Sequence, residues 1–220
     1  AMNLLFSTIG KKIQVALSGI LLAVFLIFHL MNNLVLFAGE DSFNQMVGFL
    51  EGIKPIIRVM EFGLLSILLM HTINALRLTY QNKSLRKIDY SKSSQETSTL
   101  NSRTMAISGS FILVFIFIHL GYIWLTYQMH SFSVDETYYS VLLRSELGYL
   151  NHTPTAIFYI LAIFFIGFHL KHGYQSALKT LGLINSGATN ILYYLGFIFW
   201  GIIPLGFIII ILSIQLGYIN

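Results

Sequence analysis

Five runs of mostly apolar residues dominate the chain, at about 14–38, 56–80, 104–129, 155–179 and 190–217. A helix that spans a bilayer needs ~20 such residues. Backbone polar groups must be satisfied within the segment once water is gone, and a helix does this. The sequence therefore predicts an all-α membrane protein with five transmembrane helices in one integral-membrane domain, residues 1–220. Composition agrees, since 55% of the 220 residues are hydrophobic and 10% charged, against roughly 45–50% and ~25% in soluble domains. The first run reaches full spanning length and is expected to be a span, not a cleaved leader. The chain has no cysteine, which excludes disulfides, thiolate nucleophiles and cysteine-held clusters. Its net charge of +4 clusters beside apolar segments, so no nucleic-acid partner is expected.

Direction follows from where Lys and Arg fall. Lys11 and Lys12 precede the first run, and Lys83, Arg86, Lys87, Lys92 and Arg103 crowd the connection between the second and third. Lys171 and Lys179 end the fourth. The opposite ends carry Glu40, Asp41, Glu51, Asp135, Glu136 and Glu146. The N-terminus is thus expected inside and the C-terminus outside. The connections are expected to be short, apart from the polar one at about 81–103.

Each of the first four runs holds a histidine: His29, His71, His119 and His169. Ionisable groups inside a membrane default to a functional reading, with hydrogen-bonded helix packing as the alternative. Counted from the outer boundaries, His29 and His119 share one depth, and His71 and His169 share another about five residues deeper. At the helical rise that offset is ~8 Å. In an up-down bundle the first and third helices are diagonal, as are the second and fourth, and bundles build cofactor sites from facing side chains. Two imidazoles at one depth suit bis-histidine ligation of haem iron, whereas zinc prefers four ligands at one point.

The first and third runs also resemble each other. Ala16–Leu30 reads ALSGILLAVFLIFHL and Ala106–Leu120 reads AISGSFILVFIFIHL, identical at seven of fifteen positions. Ser18-Gly19 and Ser108-Gly109 lie about three turns before His29 and His119, close to the level of His71 and His169. These small residues are expected either to make room for a haem or to let helices pack closely.

The stretches STIGKKIQVALSGILLAVFLIFHLMNNL, PIIRVMEFGLLSILLMH and FHLKHGYQSALKTLGL resemble the cytochrome b subunit of succinate dehydrogenase and fumarate reductase, in its single-subunit, five-helix form with two b haems. The resemblance implies a bacterial cytoplasmic-membrane anchor for a flavoprotein subunit and an iron–sulfur subunit, passing electrons to or from a quinone, usually menaquinone. It implies His71 and His169 as ligands of the inner haem and His29 and His119 of the outer. The family's ligand precedes x-x-x-Gly, which selects His169, ahead of Gly173, over His172. His172 is then a neighbour of the ligand or a propionate partner, with an ordinary interfacial histidine as the alternative.

Arg77, Lys171 and Lys179 are further candidates for propionate pairing, against snorkelling to the interface. His130 and His152 flank outer span ends and are expected to be solvated. Glu51, Glu40 and Glu61 are candidate acids for a quinone site, against a plain surface role. No acid lies near His169 on the fourth run, so the transmembrane proton path of some relatives is not expected here. Two rival functions stay open: a dihaem anchor for a hydrogenase or nitrate reductase, and a haem-free transporter with a histidine proton relay.

Overall fold

A computed structural model describes residues 7–85, 100–184 and 189–220. Arg86, Lys87 and Lys92 lie outside these residues, and the side chains of Lys83 and Arg103 are not described either. The chain is an all-α membrane protein. Five helical stretches are long and apolar enough to cross a bilayer, over residues 8–38, 54–81, 105–128, 153–180 and 190–215.

Helix α1 (Thr8–Leu34) starts at Ser7, whose Oγ accepts the Gly10 N–H at 3.0 Å. That bond satisfies one of the four orphan amides of the first turn. A 3₁₀ turn (Val35–Ala38) and Gly39, at φ 88°, redirect the chain into α2 (Glu40–Gly52). Glycine adopts this left-handed backbone without a Cβ penalty. Helix α3 (Lys54–Leu85) returns across the bundle. Helix α4 (Leu100–His119) continues through a π-helical turn (Leu120–Trp124) into α5 (Leu125–Gln128). The short α6 (Tyr138–Leu142) is closed by a Thr137–Ser140 capping box. Helix α7 (Thr153–Thr180) has Pro154 in its first turn, where a missing N–H costs nothing.

The fifth span is broken into α8 (Thr189–Phe197), a π-helical turn (Ile198–Ile202) and α9 (Ile203–Gln215). Pro204 explains the break. It has no N–H for the Trp200 carbonyl, and its ring crowds that carbonyl. The oxygen turns toward Gly167 of α7, where even a Cβ would come within 3.3 Å.

Helix α1 packs against α3, α7 and α9, and α7 packs against α1, α4, α8 and α9. Small residues let these helices approach: Ala156 and Ala162 of α7 are fully buried. Among the described residues, the backbones of α3 and α4 make no comparable approach. Helix α3 instead meets the continuation of that span, the π-helical turn and α5, through the side chains of Glu61, Trp124 and Gln128. Lys11, Lys12 and Lys179 make one end of the bundle a basic face, and Glu40, Asp41, Glu51, Asp135, Glu136 and Glu146 make the opposite end an acidic face.

The acidic-face connections contain helices where short loops were expected. Backbone groups at a membrane surface need partners, and a helical turn supplies them locally. Helix α6 is tied to α2 where the Tyr139 N–H donates to Asn44 Oδ1 at 3.0 Å. Arg144 donates to Glu136 at 2.7 Å and 2.5 Å, to the Ser131 carbonyl at 2.9 Å and to Tyr149 Oη at 2.9 Å. This guanidinium holds the Glu136 carboxyl well below the usual range, at about 2.

Candidate functional site

The four span histidines fall into two pairs, each reaching across a diagonal of the bundle. The ring centres of His71 on α3 and His169 on α7 lie 6.4 Å apart. Those of His29 on α1 and His119 on α4 lie 5.8 Å apart. Two imidazoles bound to opposite sides of one metal ion, at ~2.0–2.1 Å per bond, have ring centres about 6 Å apart. Among the described residues no three His, Asp or Glu side chains converge on one point, and each pair presents two imidazoles to one another.

The levels of the two pairs are set by a contact that crosses helices. Ser18 Oγ lies 3.1 Å from His71 Nδ1, and Ser108 Oγ lies 3.2 Å from His169 Nδ1. His29 and His119 are each eleven residues further along the same helices. The pairs are therefore ~16 Å apart along the bundle axis, about twice the offset obtained by counting from span ends.

Protonation follows from the partners. The Ser18 hydroxyl donates to the Gln14 carbonyl at 2.6 Å, so its oxygen is free to accept from His71. The Val15 carbonyl, which can only accept, lies 3.2 Å from the same Nδ1. His71 Nδ1 must therefore carry the proton, leaving Nε2 with its lone pair. Ser108 repeats the contact, with its hydroxyl 3.1 Å from the Met105 carbonyl and 3.2 Å from His169 Nδ1. Both serines are buried. Next to them, a Cβ on Gly19 would meet His71 Cε1 at 3.2 Å, and one on Gly109 would meet His169 Cε1 at 3.4 Å. The room expected at these glycines is taken by the imidazole rings themselves. A part-buried bond from Asn74 Nδ2 to Gln14 Oε1, 2.7 Å, extends this polar seat by a turn.

The acidic-side pair sits among aromatic rings. Phe25 stacks on His29 at 5.4 Å and Phe115 on His119 at 5.6 Å, each from four residues back on the same helix. Phe207 of α9 tilts against His29. Tyr159 Oη lies 3.3 Å from His119 Nδ1. Sequence reasoning missed Tyr159, although it precedes His169 by ten residues and so lies near the depth of His119.

The other expected residues are dispersed. Lys171 holds its ammonium 4.8 Å over the Trp200 ring, a cation–π contact that turns it toward the fifth span. Arg77 and Lys179 are exposed, and His172 is half-buried. His130 is exposed, while His152 bonds Thr155 at the start of α7. Glu40 is exposed and accepts from Thr137 at 2.7 Å, and Glu51 pairs with Lys54 at 2.6 Å. Glu61 is bound differently. It accepts from Arg58 at 2.8 Å and from the Trp124 indole at 2.8 Å, with Gln128 at 3.4 Å. Arg58 also bonds Gln128, closing a polar cluster between α3 and the segment from the π-helical turn to α5. Sequence reading gave no signal for Arg58, Trp124 or Gln128, because their partners lie across the fold.

The donor set is thus two pairs of imidazoles at two depths in a membrane bundle, and one comparison with known proteins bears on it. Residues 13–93 match the succinate dehydrogenase/fumarate reductase transmembrane subunit family. The match covers the first two spans, well under half of the chain, and agrees with the resemblance carried by the sequence motifs. The matched stretch contains the Ser18-Gly19 seat, His29 and His71. No curated protein and no solved structure gives a significant match.

Proposed function

We propose that the chain is a dihaem cytochrome b that anchors a flavoprotein subunit and an iron–sulfur subunit to a bacterial cytoplasmic membrane. One observation carries the reading: two histidine pairs, one above the other, each with ring centres near the span of a bis-imidazole iron. His71 and His169 would hold the haem on the basic side, nearer the iron–sulfur subunit. His29 and His119 would hold the other. When bound, the haems relay single electrons between that subunit and a quinone, with menaquinone the expected species.

The chain's own residues keep Nε2 of His71 unprotonated, place Ser108 where it can accept from Nδ1 of His169, surround the second pair with aromatic rings, and space the pairs along the axis. No dicarboxylate site belongs to this chain; succinate–fumarate chemistry is assigned to the flavoprotein. For His119 to offer Nε2 to iron, its Nδ1–H must donate to Tyr159 Oη. Among the three acids, Glu61 best suits proton exchange with a quinone, because it is half-buried in a span beside Trp124. Glu40 and Glu51 sit on α2, outside the spans.

The purified chain is expected to show b-type bands in a reduced-minus-oxidised spectrum, with two haems per chain by pyridine haemochrome. It should co-purify with flavin-containing and iron–sulfur subunits. A spectrum without b-type bands sinks the haem reading in favour of a histidine relay. Co-purification with hydrogenase or nitrate-reductase subunits instead would reassign the anchor.

A further inference from the structure

Ser18 and Ser108 occupy equivalent places in the repeated α1 and α4 segments, and each touches a histidine of a different, unrepeated helix. We propose that these two serines are positioning residues that set the donor strength of His71 and His169 and so hold down the reduction potential of the haem between them. The inference rests on the haem reading above.

Each serine spends its proton on a carbonyl of its own helix, Gln14 or Met105. The Val15 carbonyl fixes the proton on His71 Nδ1, and an imidazole that offers Nε2 to iron carries its proton on Nδ1, so each serine oxygen, at 3.1 Å and 3.2 Å, accepts from its histidine. A hydrogen bond accepted from the remote N–H fixes the tautomer and ring orientation and makes the other nitrogen a stronger base. A stronger imidazole donor stabilises ferric over ferrous iron, which lowers the potential; hydrogen bonding around the ligand is one of the protein's levers on it. The seats differ in one respect. His71 Nδ1 also has the Val15 carbonyl at 3.2 Å, whereas Ser108 is the partner the structure shows for His169 Nδ1 among the described residues. Losing Ser108 therefore matters more than losing Ser18.

The test is a potentiometric titration of the haem-loaded full chain, wild type against S18A, S108A, S18T and S108T, with haem counted by pyridine haemochrome. The component that disappears in H169A identifies the haem in question. Its midpoint is expected to rise in both alanine variants, more in S108A, and to return toward wild type in the threonine variants, while the other midpoint stays in place. Loss of this haem from the alanine variants, with retention in the threonine variants, supports the same role through occupancy. Two outcomes overturn the proposal: unchanged midpoints in haem-replete alanine variants, or equal disturbance by alanine and threonine. A wild-type chain without haem bands overturns the proposed function itself, and this inference with it.

Discussion

Ser18 of α1 and His71 of α3 are joined by a 3.1 Å contact that sets the height of one histidine pair against the other. Its counterpart joins Ser108 of α4 to His169 of α7 at 3.2 Å. The repeat shared by α1 and α4 acquires a physical meaning from this. Its Ser-Gly pairs seat the histidines of the helices next to them, and its phenylalanines stack on its own histidines. One repeated segment thus serves both levels of the bundle.

The two glycine seats differ in tightness. Gly19→Ala places a methyl 3.2 Å from His71 Cε1, so the ring must yield, while Gly109→Ala makes a near-ordinary 3.4 Å contact with His169. G19A is expected to lower occupancy of the basic-side haem well below that of G109A, which stays near wild type. G109L, too large for the seat, removes that haem and leaves the other. Haem stoichiometry of the purified variants checks this; a fully loaded G109L contradicts it.

His169 and His172 separate in the same assay. His169→Ala leaves His71 without its partner across the bundle, and one haem of two is expected to be lost. His172→Ala keeps the pair and its serine seats, so both haems remain. The reverse pattern would reassign the ligand.

Glu61→Gln keeps the size of the side chain but removes its charge and its proton exchange. Both haem spectra are expected to persist, while quinone-linked turnover falls by about 10²-fold or more, the scale of a lost general acid–base group. Glu40→Gln and Glu51→Gln are expected to leave turnover near wild type. Undiminished turnover in E61Q would remove Glu61 from the quinone chemistry.

The acidic-face cap has its own acid limit. Glu136 has its folded pKa depressed to about 2, from an ordinary 4.5, by the Arg144 hydrogen bonds. A depressed carboxyl stabilises the fold fully above its unfolded pKa and loses that contribution as pH falls through the folded value. Amide exchange of residues 131–150 is therefore expected to accelerate between pH 4.5 and 2, relative to the spans, and E136Q to remove most of that pH dependence. Equal acceleration in wild type and E136Q would place the acid sensitivity elsewhere.

Much of this was legible in the chain itself. Spans appear in sequence because lipid demands ~20 apolar residues in a row; the five were placed within a few residues, apart from an earlier start of the first. The histidines stood out because an imidazole in such a run is conspicuous. The surface helices α2 and α6 were not visible, since short half-polar segments carry no comparable signal. The contact of Lys171 with the Trp200 ring was not visible either, because Trp200 lies in a π-helical turn of another span.

By itself the sequence determined the all-helical class, the spans and the presence of one histidine in each of four of them, because these are properties of single segments in a fixed solvent. The tertiary structure decided which nitrogen of His71 keeps its lone pair, the serine partner of His169, the ~16 Å between the pairs, and the gathering of Glu61, Arg58, Trp124 and Gln128. Those depend on contacts between residues some sixty positions apart, and only packed helices bring such residues within hydrogen-bonding reach.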